Sequence, residues 1–137
     1  MTKGKTIIQR AEEYLSIDNH RQLKDTFLEK YSKCEVLCRP LLRKYLKSIG
    51  EFTSDEDIGM ELQDIRCALS EEGYNFDDNK LLTRIWGKNN TLGSSSCRYL
   101  RNKIIHELMI RALHEVVDRS DELNADMDKF IDELTSF

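Results

Sequence analysis

One proline and six glycines in 137 residues leave few places where the chain must break or turn sharply, so long regular elements are expected. No stretch approaches the roughly eighteen consecutive apolar residues of a membrane span. The opening MTKGKTIIQR also lacks the apolar run of a secretory leader. The expectation is therefore a soluble, cytoplasmic protein that does not engage a membrane. Cys34, Cys38, Cys67 and Cys97 fall at no CxxC or zinc-ribbon spacing. In a reducing compartment they are expected to serve as small buried hydrophobes. The alternative is a metal site at Cys34 and Cys38, which share a helical face; no metal or cofactor is assigned.

What is present is a chain of 16.1 kDa with 39% apolar and 34% charged residues. That balance, with clear apolar periodicity, points to one folded domain spanning 1–137 rather than to disorder. Leu23, Phe27, Tyr31, Cys34, Cys38, Leu41, Tyr45 and Ile49 follow steps of three and four and predict one long helix ending at Gly50. Pro40 lies inside it and clashes with the carbonyl of Val36, so a bend or break is expected there. A helix over Lys5 to Leu15 precedes it. A further one opens at Ser54 with Asp57 in a capping pattern and carries Ile58, Leu62, Ile65 and Leu69 before Gly73. Asn79 to Trp86 reads as a short helical turn, and GKNNTLG as a loop. Leu123, Met127, Phe130, Ile131 and Leu134 mark a last helix, either continuous with the preceding one or bent near Asp118 to Asn124. No strand pattern and no internal repeat is found. The fold class is all-α, a four- to five-helix up-down bundle.

Charge is laid out in blocks. Residues 21–50 hold eight basic and three acidic side chains, 51–78 one and ten, 79–114 seven and one, and 115–137 two and eight. A net charge of −4 thus hides two basic blocks. A polyanion needs only a local positive groove, because screening confines its attraction to about 8–10 Å. The plain alternative is that these charges solvate helix faces.

The stretch SSSCRYLRNKIIHELMIRALHEVV, Ser94 to Val117, predicts one long helix capped by serine and interrupted by Arg101, Asn102 and His106. Leu100, Ile104, Leu108 and Ala112 form the expected core stripe. Asn102, His106, Met109, Leu113 and Val117 form a second side. A helix apolar on two sides is either central in its bundle or shared with another molecule, which suggests a two-fold homodimer meeting along it. Histidine titrates near neutrality and arginine presents a fork of donors suited to phosphate. Together they fit metal-free RNA cleavage, which requires a base, an acid and a positive charge for the phosphorane. One of each per chain is too few, whereas a symmetric pair supplies two of each. His20 and His114 are expected to be surface or satisfied residues.

The run Leu100-Arg101-Asn102-Lys103-Ile104-Ile105-His106, late in an all-helical domain, resembles the HEPN superfamily, whose hallmark is Arg, four to six residues, then His, often with a polar residue after the arginine. The specific match covers about residues 98–113. The resemblance implies a HEPN-like bundle and a metal-independent endoribonuclease acting as a homodimer on RNA. It implies toxin–antitoxin or phage-defence settings, with a cognate antitoxin or regulatory protein as a further partner. By position it makes Arg101 and His106 catalytic and Asn102 supporting, with Arg98, Lys103 and Arg111 available to hold RNA. Leu108 stands where toxins paired with nucleotidyltransferase antitoxins often carry tyrosine. The rival reading is a non-catalytic helical dimer serving as a protein-interaction module.

Overall fold

The structure, a computed structural model, describes residues 4–51, 58–88, 91 and 93–136. Among them all regular structure is helical: α1 Ile7–Leu15, α2 His20–Ser48, α3 Leu62–Glu71, α4 Leu81–Trp86, α5 Cys97–Glu107, α6 Ile110–Asp118 and α7 Ser120–Thr135. The all-α expectation holds, with seven described segments where four to five helices were anticipated. The capping pattern at Ser54 and Asp57 lies outside the described residues. Ile58, expected within that helix, precedes α3 and is buried in non-helical chain.

Local chemistry sets the starts. Thr6 and Gln9 form a reciprocal capping box, Gln9 N–H donating to Thr6 Oγ1 at 3.1 Å and Thr6 N–H to Gln9 Oε1 at 2.9 Å. At the end of α2, Gly50 has φ +80°, which lets the amide of Glu51 reach back to the Leu46 carbonyl at 2.9 Å. Pro40 does not break α2. It lies with Val36 on an exposed face of the helix, while Cys34, Cys38, Leu42 and Leu46 on the opposite side are buried. After Cys38 the buried stripe moves by one position to Leu42 and Leu46, so Leu41 and Tyr45 are only half-buried. Helix α2 is the spine of the bundle, packing against α7, α3, α6 and α5.

The largest departure from the expected pattern is a break in the helix predicted over Ser94 to Val117. Leu108 adopts a left-handed conformation, φ +48° and ψ +43°. Met109 is extended and α6 starts at Ile110. Leucine rarely accepts that backbone, at a cost of about 1–3 kcal/mol. At about 100° per residue, an unbroken helix would carry Val116 and Leu113 to roughly 160° and 220° from Leu100, off the buried side. The break returns both to the core, where they are fully buried beside Ala112. Burying a large aliphatic side chain contributes about 1.5–3 kcal/mol, so two outweigh one strained residue. Of the second side read from the sequence, Leu113 is thereby absorbed within the chain, Asn102, Met109 and Val117 are half-buried and His106 stays exposed.

The N-terminus of α5 is pinned from two directions. Ser96 is the cap, its Oγ accepting from the Tyr99 amide at 3.1 Å and donating to the Gly87 carbonyl at 2.5 Å. Ser95 donates to the buried Glu115 through its amide at 3.0 Å and its hydroxyl at 3.1 Å. Arg119 closes the group, donating to Glu115 and, at 3.0 Å, to the Ser95 carbonyl.

Candidate functional site

With its origin fixed, α5 turns Arg98, Arg101 and Asn102 toward a cavity of about 310 Å³. Tyr31 and Glu35 of α2 form the facing wall, and Ile58 to Glu61, just before α3, form the third. The Arg101 guanidinium lies over the Tyr31 ring, 5.9 Å from its centroid, and donates through Nη1 to Asn102 Oδ1 at 3.1 Å. Among the described residues no carboxylate pairs with Arg101, so its positive charge is met only by a neutral amide and an aromatic face.

Arg98 is differently employed. It donates to the Met60 carbonyl and lies 3.7 Å from Glu61, and Glu61 is also held by Lys88 at 3.3 Å. Arg98 therefore ties α5 to the segment before α3, and its charge is partly spent. Glu35 is paired with Arg39 at 3.2 Å, one turn along α2. Burial pushes the Tyr31 hydroxyl well above its ordinary range, with Glu35 adding to that rise and Arg101 opposing it. Tyr31 thus stays protonated and is no proton acceptor at neutral pH.

His106 stands apart. It occupies the last turn of α5, is exposed, makes no hydrogen bond or ion pair with a described residue, and does not line the Arg101 cavity. Five residues of helix separate its direction from that of Arg101 by about 140°, whereas Asn102 lies one turn away at about 40°. The hydrogen bond and the shared cavity join Asn102 to Arg101, and His106 lies on an adjoining surface, nearer in direction to Asn102 than to Arg101.

The other basic candidates also diverge. Lys103 is engaged by Glu107 at 2.6 Å, which raises its pKa, and lies 5.6 Å from the Tyr99 ring centre. Arg111 is exposed beyond the break on α6 and lines two smaller hollows, neither containing Arg101. His20 bonds the Tyr14 carbonyl through Nδ1 at 2.9 Å, and the Tyr14 ring is flanked by His20 and His114 at 4.3 and 4.2 Å. Both histidines are thus explained by local packing.

Tyr31, Glu35, Met60 and Glu61 were not singled out from sequence. Tyr31 read only as a core residue; the signal available was Glu35, four residues on, which puts a carboxylate beside that ring on one helical face. Cys34, Cys38 and Cys97 are buried as expected. No cluster of His, Cys, Asp and Glu able to hold a metal ion occurs among the described residues. No described helix is long and apolar enough to cross a membrane. No family model, curated protein or solved structure matches the chain.

Proposed function

We propose that the chain is a metal-independent endoribonuclease of the HEPN type, with a composite site formed by two copies and a role as a toxin or phage-defence effector. The observation that carries the reading is Arg101. Among the described residues its guanidinium has no carboxylate partner; it lines a polar cavity with Asn102 and shares one helix with an exposed histidine that no described residue binds. An uncompensated guanidinium held by an amide and a ring is suited to an anion arriving from outside.

The chemistry follows from what these groups can do. The ribose 2′-hydroxyl attacks the adjacent phosphorus while one His106 takes its proton. Arg101 stabilises the negative charge gathering on the phosphorane oxygens. The P–O5′ bond then breaks, and a second, protonated His106 gives its proton to the departing 5′-oxygen. The products are a 2′,3′-cyclic phosphate and a 5′-hydroxyl, with no net gain or loss of protons. Two histidines are needed and each chain offers one, so the reading requires a dimer. Asn102 holds the Arg101 fork in position.

The test is incubation of the purified protein with RNA in the presence of a chelator. Cleavage leaving 2′,3′-cyclic phosphate ends is expected, lost in Arg101→Ala and in His106→Ala while circular dichroism is unchanged. Cutting that survives both substitutions overturns the assignment. The exposed apolar side chains Ile7, Ile8 and Ile105 favour a second reading, a non-catalytic helical dimer that acts as an interaction module; it predicts self-association without any RNA cleavage.

A further inference from the structure

Immediately after His106 the surface changes character. Glu107, Met109 and Ile110, at the break between α5 and α6, join Ile7 and Arg10 of α1 around a groove of about 260 Å³. Its walls are mainly carbon. Ile7 is 64% exposed, and its neighbour Ile8 is 65% exposed. Ile7 at the groove and Ile8 beside it are exposed while Met109 and Ile110 are half-buried, an apolar surface that a partner can cover.

The two charged residues at this groove have opposite signs and spare capacity. The Arg10 side chain has no hydrogen bond or ion pair with a described residue. Glu107 is bonded by Lys103 through Oε2 only, leaving Oε1 for another donor. A uniformly acidic or basic partner would meet a like charge at one of them. A second copy whose two-fold axis passes between them would not, because Arg10 of each copy then faces Glu107 of the other.

We infer that this groove seats a second copy of the chain, Ile7 and Ile110 packing across the axis and each Arg10 meeting the Glu107 of the other copy. The inference rests on the nuclease reading in one respect: His106 directly precedes Glu107 and lies outside its own chain's Arg101 cavity, so docking here brings the His106 turn of each copy beside the seam. It also supplies what the lost second stripe of α5 no longer does, a specific reason for two chains to associate.

Light scattering and sedimentation at micromolar concentration test it. The expected result is a dimer whose dissociation constant rises at least about tenfold in Ile110→Asp, since a lone carboxylate would be buried at the seam. Arg10→Glu and Glu107→Arg should each weaken the dimer, and the double variant should restore it. The charge variants touch only exposed side chains, so they remain informative if Ile110→Asp fails to fold. A monomeric wild type, or a dimer indifferent to all of these changes, overturns the inference. RNA cleavage by a dimer indifferent to the groove variants would sink the groove and spare the nuclease reading. A groove-dependent dimer that never cuts RNA would do the reverse.

Discussion

The guanidinium of Arg101 rests on the ring of Tyr31, 5.9 Å from its centroid, so the residue proposed to meet the phosphorane is supported by a buried aromatic of a different helix. Position and stability are thereby joined at one side chain. Tyr31→Ala should lower stability by about 3–5 kcal/mol in urea unfolding, as removal of a buried ring does. Tyr31→Phe keeps the ring and should cost less than about 1.5 kcal/mol. A loss under about 1 kcal/mol for the alanine variant would show that the ring is not a packing element.

The left-handed Leu108 gives a prediction of unusual sign. Leu108→Gly relieves backbone strain while losing a half-buried side chain, so its net effect should stay within about 1 kcal/mol. Leu108→Val places a branched side chain on the same backbone and should be clearly worse. Equal losses for the two, measured by thermal melts, would mean that the backbone does not turn there.

Glu115 is nearly fully buried, and its carboxylate serves Ser95 and Arg119 at once. Glu115→Ala leaves the buried Ser95 amide without an acceptor, while Arg119 keeps Glu122 and the Ser95 carbonyl, a change expected to cost about 1–3 kcal/mol. Because Ser95 adjoins the cap of α5, hydrogen exchange should accelerate first at the amides of that helix's opening turn. Exchange rising first in α7 instead would contradict the pinning role.

Asp78 predicts a pH dependence. Hydrogen bonds from Arg84, at 2.5 Å, and from the Lys80 amide, at 3.0 Å, hold its carboxyl down to about 2, below its ordinary 3.8. A depressed carboxylate stabilises the fold above its unfolded pKa and loses that contribution as pH falls through its folded one. The melting temperatures of the wild type and Asp78→Asn should therefore differ above about pH 4 and converge by about pH 2. A gap that widens on acidification would refute the pairing.

Thiol chemistry separates the cysteines. Burial pushes Cys34 and Cys38 up to about 12 and raises Cys97 as well. At neutral pH only the half-buried Cys67 should react with a thiol reagent in the folded protein, and all four in denaturant. More than one fast native thiol, or a single one surviving Cys67→Ser, would contradict this packing.

Much of the architecture is carried by periodicity that any reader of the chain can find. Phe27, Tyr31, Cys34 and Cys38 mark the buried face of α2, and Leu123, Met127, Phe130 and Leu134 that of α7, because helix geometry repeats locally. The break at Leu108 is not legible in this way. Nothing about leucine announces a left-handed turn; only the tertiary reward of burying Leu113 and Val116 selects it. The candidate site divides along the same line. Arg101, Asn102 and His106 lie together in sequence, whereas Tyr31, Glu35 and Met60 reach Arg101 only through the packing of α2 and the pre-α3 segment against α5.

The spine helix has a consequence for how the protein is made. Cys34 lies against the Met127 carbonyl at 3.9 Å, and Lys30 holds Asp128 at 2.8 Å, across most of the chain. During synthesis the buried side of α2 must wait, uncovered, until the residues of α7 leave the ribosome. A truncated translation product lacking them presents Phe27 and Cys34 to solvent as a binding stripe for chaperones, so aggregation or degradation is the expected fate of any early stop.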